Sequence, residues 1–250
     1  MQYIFDVDGT LSFDGETISE SINNAIKDLM LAGNEVIFAS ACPIRDLLPM
    51  IPEFQSQKLI GANGAMISIN NEIEVIKQIN SSSFEYLKVL IQRYNLDYVI
   101  DSSWNYSSRI TQNSFIEKMI DPSKSAQKIK IDEIENPIKT IFVNVEIRLQ
   151  EKLLTMINQE TPLNAIGLAG ERTVDITAKD INKFFTLDKL GIENYIAFGN
   201  DRNDFEILQS AQTSVWIESK KNLKSYSKNA DIVCQPNSEA VAELIRSFLR

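Results

Sequence analysis

The sequence predicts an α/β protein whose parallel-sheet core is interrupted by a smaller inserted α/β unit. Three observations carry this. Short apolar strands alternate with amphipathic helices at both ends of the chain, the pattern of a parallel sheet covered on both faces. The stretch from about Ser81 to Gly170 breaks that pattern. At 250 residues the chain has room for one large domain or two smaller ones. The expected division is a core of residues 1–80 and 171–250, with 81–170 as the insert.

The core elements follow in order. "YIFDV" is a strand. Thr17 and Glu20 then have capping-box spacing, with Ser19 as a rival N-cap. Ile22, Ala25, Ile26, Leu29 and Met30 form a helical stripe that Gly33 can end. "EVIFAS" is a second buried strand, and Pro43 just after it suits a first helical position. "KLIGANGAMISI" reads as strand, Asn63-Gly64 turn and strand. Near the end come the strand "NYIAFGN", the helix "DFEILQSA", the strands "TSVWI" and "ADIVC", and the closing helix "SEAVAELIRSFL".

The insert holds a helix with Phe84, Leu87, Leu90, Ile91 and Tyr94 on one side, then "DYVID". A polar stretch with Trp104 and Tyr106 follows, then a Ser/Lys-rich connector near 121–130. The strand "IKTIFVNVEI", a helix from about Glu151 and a strand at "NAIGLAG" complete it.

Composition narrows the function classes. A formal charge of -9 argues against general nucleic-acid or anionic-membrane binding, which need basic patches. Lys220-Lys221 is the densest basic pair, and a solvated helix end explains it. Histidine is absent, which excludes imidazole triads and His-ligated metals. Acid-base chemistry must then use Asp, Glu, Lys or Tyr. Two distant cysteines, Cys42 and Cys234, fit a reduced, cytoplasmic setting. Neither a signal peptide nor a membrane span is evident.

Four places could carry chemistry. Asp6 and Asp8 stand i, i+2 at the carboxyl end of a strand, where open α/β sheets place ligands. Gly9-Thr10 then lets backbone amides approach an anion. Ser40 ends the second strand beside a helix start, where it could meet a phosphate or simply cap the helix. Lys183 stands near the start of a helix with the stripe Phe184, Leu187 and Leu190. "FGNDRND" puts two acids and two asparagines on a tight turn, oxygen donors that suit a hard cation such as Mg2+. Asn203 or Asp204 there would also cap the next helix.

In this order, "DVDGT", "FAS-ACP", "GANGA", "DITAKDINK" and "FGNDRND" resemble the motifs of haloacid dehalogenase superfamily phosphatases, most similarly the Cof-like sugar-phosphate phosphatases. The residues between "GANGA" and "DITAKDINK" match that family's α/β cap on its Rossmann-like core. The resemblance implies a Mg2+-dependent phosphatase acting on a small phosphorylated metabolite, a sugar phosphate by preference. Asp6 would attack phosphorus and form a phospho-aspartyl intermediate. Asp8 would protonate the leaving alcohol and then activate water.

The catalytic set implied is Asp6, Asp8, Ser40, Lys183 and Asp204, with Ser40 and Lys183 clamping phosphate. Gly9, Thr10, Ala41, Asn63, Gly64 and Asn203 would contact substrate. The metal would take Asp6, the main-chain carbonyl of Asp8, and either Asn200 or Asp201. In the polar stretch of the cap, Trp104, Tyr106 and Arg109 would touch the organic moiety or anchor the cap's own fold.

Three departures mark this chain. Asn200 stands where the family's first metal-turn Asp is expected, Cys42 where an Arg often follows the Ser/Thr motif, and Phe184 where a Gly follows the lysine. A neutral ligand at Asn200 should raise the metal requirement. The alternatives are a phosphomutase, for which no second basic cluster is present, and a weakly active metabolite-binding or regulatory member, which Asn200 favours. Oligomeric state and natural substrate stay open.

Overall fold

The computed structural model describes residues 1–112, 115–167 and 172–249. Five strands precede the insert: β1 (Gln2–Phe5), β2 (Glu35–Ala39), β3 (Lys58–Gly61), β4 (Met66–Ile69) and β5 (Glu72–Val75). The insert contributes β6 (Asp97–Asp101), β7 (Tyr106–Arg109), β8 (Lys139–Val143), β9 (Leu163–Ile166) and β10 (Val174–Ala178). Then come β11 (Tyr195–Gly199), β12 (Thr213–Ile217) and β13 (Ile232–Cys234). They form two sheets, an eight-stranded one ordered β13-β12-β11-β1-β2-β3-β4-β5 and a five-stranded one ordered β7-β6-β8-β10-β9.

The helices are α1 (Glu20–Leu31), α2 (Ile44–Leu47), α3 (Ser81–Tyr94), α4 (Phe115–Met119), α5 (Ile147–Glu160), α6 (Lys183–Lys189), α7 (Phe205–Gln209) and α8 (Ser238–Ser247).

The large sheet is parallel from β13 to β3, with β4 and β5 antiparallel at its edge. Its residues alternate between two buried faces. Phe5, Phe38 and Phe198 join the cluster with Ile22 and Ile26 of α1 and Val241 and Ile245 of α8. Ile4, Ile37 and Ala197 face Leu187 of α6 and Ile207 of α7. Each such fully buried Phe or Ile contributes roughly 1.5–3 kcal/mol of apolar burial. This is the expected parallel core covered on both sides.

Local details depart by a residue or two. Ser19, the rival, caps α1, its hydroxyl accepting from the Ile22 N–H. Pro43 is the N-cap of α2, one position earlier than expected. The turn before β4 places both Ala62 and Asn63 at positive φ.

The insert is a separate antiparallel sheet with its own core of Phe84, Leu87, Phe142 and Ile176 among others. The expected boundary at 170/171, and the end of the expected strand "NAIGLAG" at 168–170, lie outside the described residues. Beyond them, however, β10 pairs with β8 and β9. The chain therefore returns to the core after Ala178, later than expected, because the apolar alternation of "VDITA" completes the second sheet. Where the chain leaves and re-enters the core, Lys77 Nζ donates to the Lys179 carbonyl at 2.7 Å. Among the described residues no helix is long and apolar enough to cross a membrane.

Candidate active site

Phe5 is in register with Phe38 of β2 and Phe198 of β11. Because these strands are parallel, the residues that follow them meet at one edge: Asp6 and Asp8, Ser40, and Asn200. The Asp6 N–H still donates to the Phe198 carbonyl at 3.0 Å, and then the chain folds over. The amides of Thr10, Leu11 and Ser12 all turn to the Val7 carbonyl. Gly9 makes this possible at φ +77°, and a Cβ there would stand 2.2 Å from Asn200 Nδ2. The two carboxylates of the i, i+2 pair go separate ways. Asp6 Oδ2 accepts from the Thr10 hydroxyl at 2.8 Å, while the Asp8 carboxylate faces Cys42 Sγ at 3.4 Å.

Lys183, fully buried at the start of α6, donates to Asp6 Oδ1 at 2.6 Å and Asp204 Oδ1 at 2.7 Å. Burial alone would lower its pKa, but the Asp204 and Asp6 carboxylates raise it. Asp6 is raised to about 7, chiefly by burial and then by the Asp204 charge, with Lys183 and Thr10 opposing. Asp204 Oδ2 also accepts from the N–H groups of Asn200 and Asp201 at 2.9 and 3.1 Å. It is a positioning residue that fixes both the lysine and the acidic turn.

Asn200 is packed against the Asp6–Asp8 turn. With its amide nitrogen inward, it donates to Asp6 Oδ2 and the Asp8 carbonyl, each at 3.1 Å, and to the Thr10 hydroxyl at 3.2 Å, while its oxygen accepts from Ser219. With the amide reversed, Thr10 donates to Asn200 Oδ1 and Asn200 Nδ2 donates to Ser219. Hydrogen-bond complementarity favours the first orientation.

The second orientation gathers Asp6 Oδ2, the Asp8 carbonyl and Asn200 Oδ1, an all-oxygen set of the kind a hard cation takes. Cis oxygens around an octahedral Mg2+ stand about 3 Å apart, so the donor set fits such an ion. Asp201 is committed elsewhere: one oxygen accepts from the Arg202 N–H at 2.7 Å and the other pairs with Lys220. Lys220 is therefore tied to the acidic turn as well as lying at a helix start. Among the described residues no three Asp, Glu, Cys or His side chains close into a metal-binding group.

Ser40 is buried, its hydroxyl accepting from the Cys42 N–H at 3.0 Å. Burial, then the Asp8 and Asp46 charges, push the Cys42 thiol well up. Asn63, at φ +54°, accepts from Asn203 Nδ2 at 2.9 Å and donates to Asp175 Oδ2 at 3.3 Å. Gly64 lies against α6, where a Cβ would meet the Asn182 carbonyl at 2.3 Å. Asp6, Asp8, Gly9, Ala41, Asn200, Asp201 and Asn203 line a cavity of about 660 Å³ between the sheets, within the usual small-ligand range. Thr10, Ser40, Gly64, Lys183 and Asp204 stand behind that wall rather than on it.

The cavity roof comes from the insert and was not anticipated residue by residue. Asp101, Lys139 and Asp175 line it. Arg45 of α2, 1% exposed, makes a fork to Asp46 (2.7 Å twice) and reaches Asp101 at 2.9 Å and the Trp104 carbonyl at 2.8 Å. Burial, partly opposed by Arg45, raises Asp101 to about 6. Lys139 Nζ contacts Asp175 Oδ2 and the Ala41 carbonyl, both at 2.7 Å.

The signal for these was present in the sequence: charges at buried strand positions, in "DYVID", "IKTIFV" and "VDIT". By contrast, Trp104, Tyr106 and Arg109 do not line the cavity. Trp104 and Arg109 serve the cap's own fold, and Tyr106 its seam with the core. Trp104 Nε1 donates to the Ser125 carbonyl, Arg109 donates to the Leu96 carbonyl, and Tyr106 lies under Arg45 at 4.9 Å.

A family model described as haloacid dehalogenase-like hydrolase matches residues 3–245. The chain belongs to that family. The Mycoplasma genitalium protein MG265, named as a candidate phosphatase, is 24% identical over 98% of this chain and 97% of its own length. Among solved structures, SMU.1108c from Streptococcus mutans matches with a TM-score of 0.82 at 20% identity, covering 99% of this chain and 98% of that one. A structure described as the subclass IIB sugar phosphatase BT4131 matches at TM-score 0.80 and 20% identity, over 99% and 98%. A haloacid dehalogenase-like hydrolase from Bacteroides thetaiotaomicron gives 0.81 at 19%, over the same shares. The core-plus-insert fold is thus shared along nearly the whole chain. As a member of the haloacid dehalogenase-like family this protein is a hydrolase, and its curated relative carries a phosphatase name.

Proposed function

We propose that the protein is a Mg2+-dependent phosphatase of small phosphorylated metabolites, sugar phosphates foremost, working through a phospho-aspartyl intermediate. The observation that carries this is the divergence of Asp6 and Asp8. Asp6 is held by Lys183 and Thr10 at the cavity wall, whereas the Asp8 carboxylate is turned aside and its main-chain carbonyl faces Asn200. A nucleophile and a separate acid-base group are what the two half-reactions need.

In the first half, an Asp6 oxygen bonds to phosphorus as the ester oxygen leaves with the Asp8 proton. In the second, Asp8 takes a proton from water, whose oxygen displaces the Asp6 carboxylate and releases inorganic phosphate. Like charges of nucleophile and phosphate repel by about 4 kcal/mol per unit pair at 4 Å with an effective dielectric near 20. Lys183 offsets part of this from behind Asp6. Bound Mg2+ would supply further charge neutralisation on phosphate oxygens. Asp6, the Asp8 carbonyl and Asn200 would hold it, with Asp201 left to Lys220. Gly9, Ala41 and Asn203 on the cavity wall would frame the phosphate end, with Thr10, Ser40, Asn63 and Gly64 supporting them from behind. A cytoplasmic setting belongs to this reading, supported by two cysteines that are both free thiols.

A second reading, a member that binds a phosphorylated metabolite with little turnover, is favoured by the inward nitrogen of Asn200. Assays of p-nitrophenyl phosphate and a sugar-phosphate panel, with and without Mg2+, separate the two. The phosphatase reading expects Mg2+-stimulated turnover that Asp6→Asn abolishes. No turnover on any ester by folded protein would leave the binding reading.

A further inference from the structure

Asp175 of β10 is 2% exposed and lines the cavity wall. Its Oδ2 is used twice, accepting from Lys139 Nζ at 2.7 Å and Asn63 Nδ2 at 3.3 Å. Its Oδ1 is just as buried and has no hydrogen-bond partner. Buried carboxylate oxygens are rarely left without a donor, because the lost hydration goes unreplaced. On a residue that lines a cavity, such an oxygen marks a place where a ligand can bring the donor.

The carboxylate cannot readily turn to find another partner. Lys139 grips Oδ2 while also donating to the Ala41 carbonyl at 2.7 Å, and Ala41 directly follows Ser40. The acceptor is thereby pinned beside the loop that would frame the phosphate. Farther along the same face of the roof the side chains become aliphatic. Ile141 and Val143 follow Lys139 on β8 at about 7 and 14 Å along the strand, and Val99 pairs with Ile141 across β6. Asp175 itself pairs with Ile141, so a phosphate ester seated phosphate-first meets the charged acceptor at the near end of this apolar wall.

We propose that Asp175 Oδ1 is the specificity-determining acceptor for a hydroxyl group near the phosphorylated carbon, so that the enzyme selects polyol or sugar esters over simple alkyl phosphates. This rests on the phosphatase reading above. An acceptor left without its donor by the wrong substrate discriminates by roughly 10- to 100-fold.

The test compares glycerol 1-phosphate with propyl phosphate by kcat/KM, in wild type, Asp175→Asn and Asp175→Glu. Wild type is expected to prefer the polyol ester 10- to 100-fold. Asp175→Asn should shrink that ratio at least tenfold, and Asp175→Glu, which keeps the charge opposite Lys139 but moves the oxygen, should shrink it too. A wild-type ratio below threefold overturns the proposal, as does a ratio unchanged in both variants. Should wild type hydrolyse no ester, p-nitrophenyl phosphate included, it is the phosphatase reading that fails. Calorimetric affinities of wild type for the same two esters then decide, and equal affinities overturn the role of Asp175.

Discussion

Lys183 Nζ stands 2.6 Å from Asp6 Oδ1 and 2.7 Å from Asp204 Oδ1, with the lysine fully buried. One cation thus holds two carboxylates in the sheet edge. Lys183→Met leaves both acids without their counter-charge. It is expected to cost about 3–5 kcal/mol of stability and to abolish turnover, checked by urea unfolding and p-nitrophenyl phosphate assay on the folded fraction.

Arg45 plays the matching part between core and cap. Its guanidinium is the counter-charge of Asp46 and of Asp101 on β6. Arg45→Met should destabilise by about 3–5 kcal/mol. Arg45→Lys should recover little, because an ammonium cannot reproduce the fork. Unfolding curves of the two variants measure this, and a loss below 1 kcal/mol would contradict it.

Gly9→Ala sets a methyl 2.2 Å from the outer end of the Asn200 amide, at a backbone φ of +77°. The backbone term alone is about 1–2 kcal/mol, and Asn200 must move as well. We expect lower thermal stability together with weaker Mg2+ binding by calorimetry. A variant that loses stability but binds Mg2+ normally would disconnect Gly9 from the metal set.

Mg2+ titrations separate Asn200 from Asp201. Asn200→Asp adds a charged oxygen to the Asp6–Asp8 turn and should tighten binding tenfold or more. Asp201→Asn loosens only the Lys220 pair and should shift the affinity less than threefold. The reverse pattern would assign the metal to Asp201.

The pH dependence has a definite sign. Asp6 is raised to about 7 in the fold, against about 3.9 for a free aspartate. Between those values the folded chain holds a proton that the unfolded chain has released. The contribution of Asp6 to stability is therefore full below pH 4 and declines as pH rises toward 7. Measured without divalent cations, wild type should lose stability relative to Asp6→Asn across that window. A difference that stays flat, or rises, would show that Lys183 already holds Asp6 ionised.

Much of this was legible because the signals were local. Strand-helix alternation gave the core, and the Asp6–Asp8 pair, Lys183 and the Asn200–Asp204 turn fell at strand and helix ends where a parallel sheet collects them. What stayed hidden depended on partners far away in sequence. Lys139 reads as a strand residue until Asp175 and Ala41 are beside it, and Arg45 looks like a helix surface charge until Asp101 arrives. Trp104 and Tyr106 read equally as ligand contacts or as anchors of the cap's own fold. In the fold Trp104 is spent on Ser125 within the cap and Tyr106 on Arg45 of the core. The cap's late end, after Ala178, was obscured because "VDITA" alternates like any strand and does not declare its sheet.

The contact between Lys77 and Lys179 fastens the outgoing and returning chain segments side by side. The insert is consequently attached along a single edge, like a page to its spine. Turning it would leave each sheet whole and would break contacts that cross between core and insert, among them Arg45 with Asp101, Lys139 with Ala41, Asn63 with Asp175 and Asp46 with the Asp121 N–H. Entry of a substrate and the breaking of those buried pairs would then be one event.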